Sequence, residues 1–357
     1  MRSWLFSICL ITLAGTLAAE EPLGPAEYLK IVSESKLQYN ISSRPSKAAM
    51  ALPTCPRREE SMRVVQRGAD KKLAPWPMKL EIVPLLSEGE KFFDAEKFDE
   101  AAAKYAAAIE KDPESATAYL FYGDTFLMGA DDPASALAQY QKAIALDPTL
   151  PRPHFFASTA YLQLGRKADA REEIVRALTY APSYESIWKL ARRDPELWGN
   201  KPVTRHPFEP PQGYLGVQGP NGIDVFAGSN NEWLGYALCK AVWANEDRFK
   251  AGHHPGQWSL EEEHACVLNQ LMSVYNATGT KLEKEAKGRT ITEKDVVAAL
   301  PALETHLYHA ANAHLLDGYI LFEIVGRNCP IMLSTMNDDA KRQVEGYIRK
   351  YVIVAGE

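Results

Sequence analysis

The chain of 357 residues carries 46 acidic against 40 basic residues, a net charge of −6, which leaves none of the basic field that binding a phosphate backbone demands. Nucleic acid is therefore not an expected partner. An apolar share of 46% is enough to bury at least one sizeable core, and the length suggests two or three structural units.

The chain opens MRSWLFSICLITLAGTLAAE, with Arg2, an apolar run from Trp4 to Leu17, then Ala18 and Ala19. That order reads as a secretory signal peptide over residues 1–19, cleaved after Ala18 or Ala19. The run is shorter than a spanning helix needs, and no later segment reaches about 18 uninterrupted apolar residues. No membrane span is expected after cleavage, and the mature protein is expected in the periplasm or outside the cell. Export also opens disulfide chemistry to Cys55, Cys239, Cys266 and Cys329. Three complete pairings are open to them, spacing chooses none, and buried free thiols fit equally well. Residues 20–80 read as an irregular arm with a short helix over Ala26 to Tyr39, a proline-rich and charged stretch, and a short strand over Ser61 to Gln66.

Prolines at Pro113, Pro148 and Pro182 recur after 35 and then 34 residues, each closing a helical pattern. The segment LLSEGEKFFDAEKFDEAAAKYAAAIEKDP places Leu85, Gly89 and Phe92 on a first helix and Ala101, Tyr105 and Ala108 on a second. The next unit repeats them as Tyr119, Gly123, Phe126, Ala136, Tyr140 and Ala143, and the third as His154, Ser158, Tyr161, Ala170, Ile174 and Ala177. A small residue at the crossing lets the two helices of a hairpin approach, and residues three or four apart form the shared apolar seam. Proline has no amide hydrogen to give, so it ends the second helix and sets the start of the next hairpin. A fourth unit starts near Ser186 with Trp188 and is cut short by Pro195, as a capping helix would be.

This pattern resembles the tetratricopeptide repeat family over about 100 residues. The resemblance implies an all-α solenoid of three helical hairpins plus the capping helix, over residues 81–195. It also implies a concave groove that takes a peptide, lined by Leu86, Glu90 and Phe93, then Leu120, Asp124 and Leu127, then Phe155, Thr159 and Leu162. Apolar ligand side chains suit most of these positions, and Glu90 with Asp124 favours a basic one. Members that clamp a terminal carboxylate do so with lysine and asparagine at these positions; both are missing here, so that mode is not expected.

Residues 196–357 read as a helical domain with a small β-hairpin near 214–227, Tyr214 to Gln218 pairing with Ile223 to Ala227 across Pro-Asn-Gly. Helices are expected near Glu232 to Lys250, from Ser259, from Thr292 to Arg327, and from Asn337 to Val352. Ser259 with Glu262, and Thr292 with Asp295, have capping-box spacing. After Leu315 the third helix is apolar around much of its circumference and belongs at the centre of a bundle. Trp233, Tyr236, Val242, Trp243 and Trp258 are expected to pack on it.

No G-x-S-x-G, phosphate-cradling loop or H-E-x-x-H occurs, and no cofactor is expected. Six of the eight histidines, His253, His254, His264, His306, His309 and His314, fall in the carboxy-terminal third. His306 and His309 share a helix face, and Glu261 with His264 repeats their spacing, which opens a second reading as a metal-binding protein or metal-dependent enzyme. The first reading is a non-catalytic scaffold that binds a protein or peptide. Asn40-Ile41-Ser42 and Asn276-Ala277-Thr278 match glycosylation acceptors, which matter only in a eukaryotic secretory pathway.

Overall fold

A computed structural model describes residues 22–42, 62–67, 70–75, 79–210, 217–219, 222–250 and 259–353. The signal peptide, Cys55, Tyr214, His253, His254 and Trp258 lie outside them. In chain order the elements are α1 (Pro25–Glu34), β1 (Tyr39–Ser42), β2 (Met62–Arg67), β3 (Asp70–Pro75), α2 (Val83–Asp94), α3 (Phe98–Lys111), α4 (Ala116–Met128), α5 (Pro133–Leu146), α6 (Pro151–Gln163), α7 (Lys167–Tyr180) and α8 (Glu185–Arg193). There follow β4 (Val217–Gly219), β5 (Gly222–Phe226), α9 (Leu234–Asn245), α10 (Asp247–Lys250), α11 (Leu260–Glu285), α12 (Glu293–Ala299), α13 (Ala302–Asn312), α14 (Leu316–Tyr319), α15 (Gly326–Asn328) and α16 (Asp338–Tyr347). The fold is all-α, with two small sheets. Among the described residues no helix is long and apolar enough to cross a membrane.

The described residues form two compact units: a repeat unit from residues 62–205 with 321–353, and a second unit from residues 22–42 with 206–320. The linear division at residues 80 and 195 is therefore not the spatial one, because distant segments return to each unit.

In the repeat unit, α2–α3, α4–α5 and α6–α7 are the three expected hairpins, and Gly89 and Gly123 explain how they close. A Cβ on Gly89 would stand 2.3 Å from the Tyr105 ring, and one on Gly123 2.5 Å from the Tyr140 ring, so each tyrosine lies flat on a neighbour that has no side chain. Gly123→Ala forces that ring aside and is expected to cost about 1–3 kcal/mol, read as a fall in the unfolding free energy of the repeat unit in urea. Each hairpin ends on the same kind of turn. Asp112 and Asp147 are buried, and their carboxylates accept the backbone N–H of Glu114 at 3.3 Å and of Thr149 at 3.0 Å, while the following proline ends the helix.

The capping helix α8 is covered in turn by the end of the chain from Leu321 on, far from it in sequence. Trp188 is fully buried, donates Nε1–H to the Pro182 carbonyl at 2.7 Å, packs 6.1 Å from the Phe322 ring and carries the Arg205 guanidinium 4.0 Å above its face. Arg349 meets Glu172 of α7 through two hydrogen bonds of 2.7 and 2.8 Å. The strand expected at Ser61–Gln66 is β2, paired antiparallel with β3.

In the second unit the expected hairpin is β4–β5, joined by β1, which runs parallel to β5 with Tyr39 opposite Ile223. The first helix stops at Glu34, short of the expected Tyr39, because Tyr39–Ser42 belongs to this sheet. Ser35 and Tyr39 both donate to Glu246 Oε1, each at 2.6 Å, and fix the turn between helix and strand. Both capping residues act as the spacing predicted: Ser259 accepts the Glu262 amide at 3.1 Å, and Thr292 forms a full capping box with Asp295.

The single helix expected from Thr292 to Arg327 is instead broken twice. Pro301 holds Leu300 extended, at φ −65° and ψ 148°, which separates α12 from α13. His314 has φ +56°, which ends α13 before α14. From α14 the backbone passes into a π-helical run at Ile320–Val325. Leu316 and Tyr319 to Val325 are buried, as their apolar run predicted. Trp233 and Tyr236 pack with Tyr319 around Phe208, but Trp243 turns away to Tyr28 and Phe249.

Candidate peptide-binding face

The first helices of the three hairpins, α2, α4 and α6, present the nine residues picked from the sequence. Glu90 follows Gly89 and accepts the Tyr105 hydroxyl at 2.6 Å; Asp124 follows Gly123 and accepts the Tyr140 hydroxyl at 2.7 Å. Burial, reinforced by the carboxylate beside each, pushes both phenols well above the ordinary tyrosine range. These tyrosines stay neutral and donate. The third hairpin replaces the pair with Thr159 and Ile174, and Thr159 donates instead to the Phe155 carbonyl at 3.3 Å.

The nine positions differ in access. Leu86, Leu120, Asp124 and Leu127 are buried, at 9, 2, 6 and 8% exposure, whereas Phe93, Phe155, Thr159 and Leu162 are half-buried and Glu90 is exposed. Phe93 stacks edge-on against Phe98 at 5.3 Å, and Phe155 meets Phe156 at 5.0 Å and Tyr184 at 5.7 Å. The Asp124 carboxylate lies 3.9 Å from Arg152, whose guanidinium also stands 5.6 Å over Phe121 and 5.7 Å over Phe156. The acidic character expected at the middle of the groove is thus offset by a cation held between two aromatic rings. Arg152 was missed in the sequence, although it stands one turn before Phe155 on the same helix face. Met128, 60% exposed at the end of α4, was missed as well.

A buried polar cluster occupies the second unit. Lys240 of α9 is 6% exposed and its ammonium contacts Glu262 and, at 3.2 Å, Glu263, whose other oxygen accepts the Tyr236 hydroxyl at 2.7 Å. Burial works against the charged lysine, but the two glutamates prevail and raise its pKa above the ordinary lysine value. Cys239 and Cys266, next to this cluster, form a disulfide between α9 and α11. Cys329 is also disulfide-bonded.

The candidate metal histidines are not drawn into one site. His264 Nδ1 lies 2.6 Å from Asp317, and the buried His306 ring stacks on His206 with centroids 3.7 Å apart, while His309 is exposed. Among the described residues no group of three or more His, Cys, Asp or Glu side chains could hold a metal ion.

Two family models described as tetratricopeptide repeat match the chain, over residues 86–151 and 127–193. No curated protein matches it. Similar solved structures include the first TPR domain of human RPAP3, 19% identical over 33% of this chain and 93% of that one, at TM-score 0.32. The Yersinia enterocolitica type III secretion chaperone SycD, in complex with a peptide of the translocator YopD, is 19% identical over 34% of this chain and 92% of that one, at TM-score 0.31. The Sgt2 TPR domain from Aspergillus fumigatus is 14% identical over 37% and 93%, at TM-score 0.32. From Leu86 to Arg193 the chain is a tandem of tetratricopeptide repeats.

Proposed function

We propose that the protein is an exported, non-catalytic interaction module whose repeat unit holds a peptide or protein partner on the face formed by α2, α4 and α6. The observation that carries this reading is the repeat itself: three consecutive hairpins with the family's packing geometry, a scaffold built to present a face rather than to assemble reacting groups. The accessible part of that face carries the apolar Phe93, Met128, Phe155 and Leu162 beside two exposed carboxylates, Glu90 and Asp94. It suits a partner segment with apolar side chains spaced along an extended or helical stretch. Export is supported by the signal-like amino terminus and by the Cys239–Cys266 disulfide, a bond that persists in oxidising compartments.

Affinity capture from native extract tests the reading, with the mature protein beside a variant carrying Phe93→Ala, Met128→Glu and Leu162→Glu. Asp124 is left alone because it holds Tyr140. A partner retained by the wild type is expected to bind the folded variant at least about tenfold more weakly. Equal capture by both would refute the concave face as the binding site. Amino-terminal sequencing of the isolated protein checks export, with a start at Ala19 or Glu20 expected.

A further inference from the structure

Within the second unit, residues 206–210 have no regular secondary structure, yet two of their side chains are tied down firmly. Phe208 is 4% exposed and wedged among Trp233, Tyr236 and Tyr319, with ring centroids 4.9, 5.0 and 6.5 Å away. Two residues earlier, His206 lies almost parallel to His306 of α13, at 7° and 3.7 Å between centroids. Face-to-face contact of this kind suits two neutral imidazoles. A charge on either ring is set against the other, and on His306 against a site only 8% exposed.

We infer that the His206–His306 stack is a proton-operated latch: it holds the 206–210 strap closed over the Trp233–Tyr236–Tyr319 pocket at neutral pH, and acid opens it and withdraws Phe208.

Several charged and titratable groups lie on the elements packed against the pair. From its own helix come His309, which adds repulsion, and Glu304, whose carboxylate accepts Gln270 Nε2 at 3.3 Å. From α14 come the Tyr319 ring, 5.6 Å away, and Asp317, which is taken by His264. Glu293 of α12 accepts the Tyr308 hydroxyl, and Glu263 of α11 is held by Tyr236 and Lys240. Glu209, on the strap itself, is exposed. Burial first, then His206 and His309, push the His306 imidazole down to about 3. A basic group whose folded pKa is depressed contributes stability above its ordinary value near 6.5 and loses it as pH falls. At pH 5 the opening equilibrium should stand about 25-fold further toward release than at pH 7.

Hydroxyl-radical footprinting of the full chain at pH 7 and pH 5 reads the latch through Phe208. Oxidation of Phe208 is expected to rise at least about threefold at pH 5, with Tyr140 of the repeat unit unchanged. His306→Phe keeps a flat ring against His206 but takes no proton, and should leave Phe208 protected at both pH values. If that variant loses α13, His306→Gln serves in its place. A Phe208 signal that is the same at both pH values in the wild type, or that rises equally in the folded variant, overturns the latch. So does a rise spread evenly over α9 and α11, which would report general loosening of the unit.

Discussion

Lys240→Met is expected to destabilise the second unit by about 3–5 kcal/mol. The ammonium contacts both Glu262 and Glu263, and Glu263 has no exposed surface. Methionine fills much the same volume, so the loss comes from removing the positive charge beside two buried or half-buried carboxylates, not from a cavity. Hydrogen exchange separates the effect by unit: amides of α9 and α11 should lose protection while α4 to α7 keep theirs. Adding Glu263→Gln to Lys240→Met removes the stranded charge and should restore part of the loss, because the amide can still accept from Tyr236. If the single variant shows wild-type exchange in α9 and α11, the cluster is not the ionic centre described. The pH dependence has a definite sign. Because the glutamates raise the lysine's pKa, its contribution is complete below the unfolded value near 10.4 and fades only as pH rises through the higher folded value.

The repeat unit was legible in sequence because each hairpin packs on its immediate neighbours. Period, the glycine at the crossing and the closing proline are all local signals, and Gly123 against Tyr140 is a contact between residues 17 apart in sequence. Such a pattern also gives the face of a helix but not its access. Leu120, Asp124 and Leu127 lie on the face the period predicts, yet they are buried, and the Arg152 guanidinium near Asp124 comes from the next hairpin. The second unit resisted because its defining contacts join segments far apart: Tyr39 pairs with Ile223, and Trp243 donates to Tyr28. No periodicity links such positions. The helix expected from Thr292 to Arg327 breaks at Pro301, a local signal that the apolar stripe running past it masks. The histidines misled for a similar reason. His306 and His309 do share a helix, but His264 is taken by Asp317, and spacing along one helix carries no information about the partners offered by another.

The second large effect expected is loss of the Cys239–Cys266 bond. It closes a loop of 27 residues, and the constraint it places on the unfolded chain corresponds to about 3.5 kcal/mol. Cys239→Ala with Cys266→Ala should lower the stability of the second unit by close to that amount, measured by urea unfolding followed through hydrogen exchange of α9 and α11. Both cysteines have no exposed surface, which adds a kinetic expectation. A thiol reductant can reach the sulfurs only when α9 and α11 separate, so reduction should run far below the rate of an exposed disulfide and level off at the opening rate of the helix pair at high reductant. The latch gives an independent control on the same pair of helices: strap release at pH 5 uncovers Phe208 without parting α9 from α11, so the disulfide should stay as slow to reduce, once rates are corrected for thiolate content. If reduction in the native protein runs as fast as that of an exposed model disulfide, the bond is accessible and does not pin the pair. If the double variant unfolds like the wild type, the non-covalent contacts, the Lys240 cluster among them, hold α9 to α11 without the disulfide. In that case Lys240→Met in the cysteine-free background should destabilise no less than it does with the disulfide in place.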